Sequence, residues 1–167
     1  MFSAALRALR PVLFLIPFFL GLSAHAQLTV EEIAGLRSMP KLDAMQFLTG
    51  KGYKIDSCGV PEAGNDDLTS TCSWKIKRQI DQKLFQGELK VSFSKTQKNI
   101  VYYTPFQVGI GQKMAVYLKT QKGKEESFDN IREQTYGKKY FLEGFTYDIS
   151  QSAKRPDWES ITIYPTK

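Results

Sequence analysis

Residues 69–78 read TSTCSWKIKR, and the alternation within them sets the fold class that this sequence predicts. In an extended chain Cys72, Trp74 and Ile76 point to one side, while the hydroxyl and lysine side chains between them point to the other. Residues 88–93, ELKVSF, repeat the pattern. Alternation of period two with one polar face is typical of an antiparallel sheet that has a core on one side and water on the other.

Beyond this stretch, the sequence predicts shorter strands and two helical segments. A capping box of Thr29 and Glu32 begins the first helical segment, and Pro40 breaks it into two before it ends at Gly50. The predicted helices cover 29–50 and 110–118, the further strands cover 53–57, 100–104, 141–149 and 158–164, and a basic loop covers 119–139. We therefore expect an α+β fold in which helices pack on one face of an antiparallel sheet.

Residues 1–26 have the three parts of a secretory signal peptide. Arg7 and Arg10 precede an apolar run (residues 11–22, PVLFLIPFFLGL), and residues 24–26 (AHA) form a small-residue cleavage site. The run is shorter than the roughly 20 apolar residues that a membrane span needs. We expect a single mature domain over 27–167, located in a periplasm or secreted, without a transmembrane segment.

Composition excludes several kinds of chemistry from this mature domain. His25 is the only histidine and would leave with the signal peptide, which rules out Ser-His-Asp catalysis and a histidine-ligated zinc site. The net charge falls from +6 to +4 because two arginines are removed. The lysines are spread along the chain, so we expect no nucleic-acid partner, and we expect no cofactor and no metal.

Cys58 and Cys72 are the only cysteines, and an even count in an exported chain predicts a disulfide. Cys72 lies on the predicted core face. Cys58 has the opposite parity to Tyr53 and Ile55, so a disulfide in a hairpin requires the first strand to end or bulge near Ser57.

The two halves of the chain share a loose pattern, which leaves two tandem repeats over 27–105 and 106–167 as an open alternative. Met45 and Leu48 precede Gly50, and at the corresponding place in the second half Met114 and Leu118 precede Gly123. In this order of elements the chain resembles the β-lactamase-inhibitor-protein fold and the PepSY-like and BamE-like envelope domains. The resemblance implies an architecture of tandem helix-plus-sheet units and no particular residues or partner.

Aromatic and cationic side chains on the predicted outer sheet face are the candidate binding residues. Tyr102 and Tyr103 are adjacent, so one of them must face away from the core. Trp158 and Tyr164 lie opposite Ile161 and Ile163. Exposed aromatics beside cations are typical of protein- or glycan-binding surfaces. The predicted set is Tyr102, Tyr103, Trp158, Tyr164, Lys75 and Lys77.

We therefore expect an exported, non-catalytic binding module of the cell envelope, inhibitor-like or immunity-like, that binds a protein partner; an anionic glycan is the open alternative. A second hypothesis is a glycan hydrolase that works with carboxylates alone. It would use Glu143, which interrupts an apolar strand face unless the strand bulges at Gly144, or the acids of 62–67. A third is a carrier of a small apolar or lipidic ligand between helices and sheet.

Overall fold

The computed structural model describes residues 27–61, 67–80, 83–104, 109–154 and 159–167, with the side chains of 76–80 and 83–86 left out. The predicted signal peptide, Trp158 and the acids of 62–66 lie outside the described residues, as does the Lys77 side chain. No helix in the described ranges is long and apolar enough to cross a membrane.

The first helical segment is broken as predicted. Helix α1 (Val30–Gly35) continues into a 3₁₀ turn (Leu36–Ser38), and α2 (Lys41–Gly50) follows. The capping box is confirmed, because the Glu32 amide donates to Thr29 Oγ1 at 3.2 Å and the Thr29 amide donates to Glu32 Oε2 at 2.9 Å. The third helix, α3, covers Ile110–Thr120.

A single antiparallel sheet of eight strands dominates the structure. The strands are β1 (Lys54–Gly59), β2 (Leu68–Ile80), β3 (Lys83–Ser94), β4 (Ile100–Thr104), β5 (Lys124–Asn130), β6 (Thr135–Leu142), β7 (Phe145–Ser152) and β8 (Glu159–Pro165). Their order across the sheet is β1-β2-β3-β4-β8-β7-β6-β5. The predicted fold class was therefore wrong: in the described residues one continuous sheet makes up most of the structure, and the helices that accompany it are short.

Much of this difference comes from residues 119–139, which were predicted as a loop and instead supply β5 and the start of β6. Edge strand β5 reads KEESFDN, and polar residues on both of its faces hide the alternation. Glu143 and Gly144 form the turn between β6 and β7, with φ values of +53° and +77°. Such a two-residue turn suits the twist of a hairpin. The prediction of one strand over 141–149 was wrong, because this turn divides the stretch between β6 and β7.

Residues of the helices and of one sheet face form the hydrophobic core. Cys72 and Trp74 contribute from β2 and Leu89 and Val91 from β3, as the alternation predicted. In α2 the buried side chains are Ala44 and Leu48, whereas Leu42 is 65% exposed. The core also includes Ile33, Leu36, Leu48, Met114, Leu118, Val101, Tyr140, Tyr147, Ile161 and Ile163.

The predicted disulfide joins Cys58 to Cys72, which are direct partners of the β1–β2 pairing with a Cα–Cα distance of 4.1 Å. The register shifts between Ile55 and Ser57, so Asp56 is an extra residue in β1. This bulge reverses the parity of the strand and brings Cys58 opposite Cys72, which confirms the expected irregularity near Ser57.

Candidate functional site

The sheet face that points away from the core cluster is called here the open face. One row of residues on the open face crosses six adjacent strands, in the order β2, β3, β4, β8, β7 and β6. Neighbouring residues in this row are Cα partners. The row consists of Ser73, Lys90, Tyr102, Thr162, Asp148 and Lys139. The open face is thus continuous across the β4–β8 pairing, where the first four strands meet the last four.

Tyr102 and Tyr164 lie on the open face at this junction. Tyr102 is the Cα partner of Thr162, and Tyr164 is two residues further along β8 on the same side, so the two tyrosines are diagonal neighbours. Both are half-buried. Tyr103, by contrast, is 1% exposed in the core, which prevents it from contacting a partner on the open face. Its burial raises its pKa, and its Oη lies 3.5 Å from Tyr53 Oη.

Four lysines of the open face have carboxylates beside them, and the side chain of the predicted Lys77 lies outside the described residues. Lys75 lies 2.8 Å from Asp56, and this carboxylate raises the pKa of the lysine. Lys90 lies 3.3 Å from Glu88. Two further pairs, Lys124–Glu126 and Lys139–Asp148, have nitrogen–oxygen distances of 2.9 and 4.0 Å. Four of the lysines are therefore balanced locally by carboxylates.

Hydroxyl groups cover much of the remaining open face. Cross-strand pairs join Ser57 to Ser73 at 2.8 Å and Thr71 to Ser92 at 2.9 Å. Ser150 and Ser160 are 2.7 Å apart, and Thr104 Oγ1 donates to Tyr102 Oη at 3.0 Å. The open face therefore combines two tyrosines with many serines and threonines.

Asp148 is a partly buried carboxylate on the open face. Burial raises its pKa, Lys139 opposes that rise, and its Oδ1 atom is buried without a hydrogen-bond partner among the described residues. A carboxylate oxygen in this situation is costly to keep charged.

Glu143, a carboxylate that the hydrolase hypothesis would use, is exposed and forms an ion pair with Arg37. Its side chain is 66% exposed and its Oε2 lies 2.5 Å from Arg37 Nη2. The Arg37 guanidinium also lies 5.2 Å from the ring centroid of Phe145 and hydrogen-bonds the Tyr147 hydroxyl. This arrangement ties the 3₁₀ turn to the β6–β7 turn. Among the remaining acids of that hypothesis, Asp67 accepts from Ser94 Oγ at 2.6 Å.

A groove on the other side of the sheet was not anticipated at these residues. It lies between α3 and strands β5–β7, has a volume of about 750 Å³, and is called here the α3 groove. Its lining includes Val116, Lys119, Tyr136, Lys138, Tyr140 and Glu159. The described residues contain no cluster of three or more His, Cys, Asp or Glu side chains that could hold a metal ion.

Glu159 lies at one end of the α3 groove and is 5% exposed. Its Oε2 accepts hydrogen bonds from the amides of Gly109 at 3.0 Å and Gly111 at 3.1 Å. These amides begin α3, where an anion is favoured. The Glu159 carboxylate thus lies at the amides of Gly109 and Gly111, the position at which a phosphate-binding loop would hold a phosphate.

Comparison of the chain with models of protein families, with curated proteins and with solved structures gives no match in any of the three. The proposals below therefore rest on the residues and geometry of this chain alone.

Proposed function

We propose that the protein is an exported, non-catalytic binding module that docks a protein partner on its open face. The supporting observation is the Tyr102–Tyr164 pair at the centre of a continuous sheet face that the helices leave uncovered. An inhibitor-like or immunity-like role is the sharpest form of this proposal, since such proteins act by occupying a partner's surface.

The composition of the open face supports a protein as the occupant. Tyrosine supplies a large, rigid contact area at a low cost in conformational entropy, and serine supplies adaptable hydrogen bonds; antibody paratopes use the same combination. The carboxylates beside Lys75 and Lys90 weaken the attraction of these two lysines for an acidic polymer. The association should therefore depend only weakly on salt.

Export is supported by two independent features. Residues 1–26 have the composition of a signal peptide, and Cys58 and Cys72 form a disulfide. Disulfides persist in oxidising compartments such as a periplasm or the extracellular medium.

The test begins with a photo-crosslinking amino acid at Thr162, beside Tyr102 on the open face, and the same amino acid at Ile131 as a remote control. Irradiation in an envelope or culture extract should yield one adduct from position 162 and not from position 131. The captured protein is then purified and titrated into the oxidised chain by calorimetry. We expect a 1:1 complex that a Tyr102→Ala/Tyr164→Ala variant weakens at least tenfold.

A Val116→Ala variant, altered in the α3 groove, should keep full affinity for the partner. Equal binding by the tyrosine variant and the wild type, with both folded by circular dichroism, would overturn the proposal. Binding that falls steeply with salt, as counterion release produces, would show instead that a charged polymer is the ligand.

A further inference from the structure

The α3 groove has two ends of opposite charge. Gly111, beside the buried Glu159, and Lys119 are eight residues apart on α3, which corresponds to about 12 Å along a helix. Lys119 and Lys138 share one carboxylate, Glu125, at 3.0 and 2.5 Å. Two cations against one carboxylate leave a positive charge at the second end, and both lysines remain about half-exposed.

Apolar and aromatic surface lies between these ends. Val116 on α3 is 57% exposed and Tyr136 on β6 is 40% exposed, although both line a concave surface. Ala115 and Ile149 complete the wall. Large apolar side chains left accessible inside a groove indicate a surface that another molecule covers.

A buried polar atom in the groove lacks a well-formed hydrogen bond. Tyr140 is fully buried and lines the α3 groove, and its Oη atom has no hydrogen-bond partner of acceptable geometry among the described residues. Burial and the nearby Glu125 carboxylate raise its pKa to about 12, so the hydroxyl keeps its proton and is a donor. Its acceptor is the Glu125 carboxylate or a group that takes the place of this carboxylate.

We propose that the α3 groove binds a small amphipathic carboxylate, whose apolar body lies against Val116 and Tyr136 and whose head group takes the place of Glu125 on Lys119 and Lys138. The groove volume of about 750 Å³ falls within the usual range for small-molecule sites. Charge decides the orientation, since the other end of the groove is occupied by the Glu159 carboxylate. This proposal is independent of the open face, and either can fail without the other.

The test is calorimetric titration of the oxidised protein with decanoate, decanol and decylamine, each below its aggregation concentration. Decanoate should bind saturably at one site, and at least tenfold more tightly than the other two. A Lys119→Met/Lys138→Met variant should lose at least tenfold in decanoate affinity. Glu125→Gln should tighten decanoate binding severalfold, because it releases both lysines; a role of Glu125 in folding alone would not produce this gain.

Two further variants separate the groove from the rest of the molecule. Val116→Trp fills the groove at an exposed helical position and should abolish binding. Ile131→Ala, at an apolar site that is 84% exposed, and Tyr102→Ala/Tyr164→Ala should bind decanoate like the wild type. No saturable binding by the wild type, equal affinity for all three probes, or unchanged affinity in the double methionine variant would each overturn the proposal.

Discussion

The backbone amide of Gly111 lies 3.1 Å from the Glu159 carboxylate, although 48 residues separate them in the chain. The Gly109 amide shares the same oxygen at 3.0 Å, so β8 supplies the cap that the first turn of α3 lacks within its own sequence. This link holds α3 against the sheet and closes one end of the α3 groove.

Loss of this cap should destabilise the fold. Glu159→Ala leaves two amides without an acceptor, and we expect the free energy of unfolding to fall by about 2–4 kcal/mol. Chemical denaturation followed by circular dichroism measures the change. Glu126→Ala, at an exposed position on edge strand β5, is the control and should cost less than about 0.5 kcal/mol. Equal losses in the two variants would contradict the capping role.

Gly137 and Gly50 should respond oppositely to the same added methyl group. A Cβ atom at Gly137 would lie 2.0 Å from the Ile149 carbonyl oxygen, whereas one at Gly50 would meet nothing within 4 Å. We expect Gly137→Ala to lose more than about 3 kcal/mol of stability, because backbone cannot move aside cheaply. Gly50→Ala, at the end of α2, should be neutral or gain up to about 1 kcal/mol. Thermal unfolding of both variants makes the comparison.

Removal of the disulfide should lower the free energy of unfolding, because the unfolded chain gains conformational entropy. Cys58 and Cys72 are 14 positions apart, and a loop of this length corresponds to about 3 kcal/mol in the chain-entropy model. We expect a Cys58→Ser/Cys72→Ser variant to lose about that amount while the remaining sheet keeps its circular dichroism spectrum. Wild-type protein under reducing conditions should match the variant. A negligible loss would show that the residual structure of the unfolded chain already closes this loop.

Asp148 should make stability fall as pH rises. Its folded pKa lies above the ordinary value of 3.8, so the folded protein binds more protons than the unfolded chain between these two values. The free energy of unfolding therefore decreases as pH rises through that window. Asp148→Asn should remove this decrease and be more stable than the wild type at pH 7. Denaturation curves from pH 3 to 7 test this, with Asp129→Asn on exposed β5 as the control.

The parts of the fold that could be predicted are those in which one short stretch carries the whole pattern. The alternation of Cys72 and Trp74 with Ser73 and Lys75 places β2 correctly because one face is core and the other is water. The capping box of Thr29 and Glu32 is equally local. The disulfide was predicted from the even count of cysteines, and the opposite parity of Cys58 then required the irregularity near Ser57.

The remaining features depend on contacts that no short stretch contains. Strand β5 is polar on both faces because it lies at the edge of the sheet, so it looked like a loop. The pairing of Glu159 with Gly109 and Gly111 crosses from β8 to α3. The sequence required one of Tyr102 and Tyr103 to face away from the core but could not say which. Likewise, the ion pair between Lys75 and Asp56 becomes visible only when β1 is known to lie beside β2.

The order of the sheet also has a consequence for how the protein must assemble. β8 is the last strand in the described chain, yet it lies at the centre, between β4 and β7. Until it arrives, both of those strands have unpaired edges, and apolar residues such as Val101 and Tyr147 have no neighbour between them. A nascent chain therefore cannot complete its core before its final strand has emerged. Until that strand pairs, the exposed edges of β4 and β7 are sites for aggregation and proteolysis.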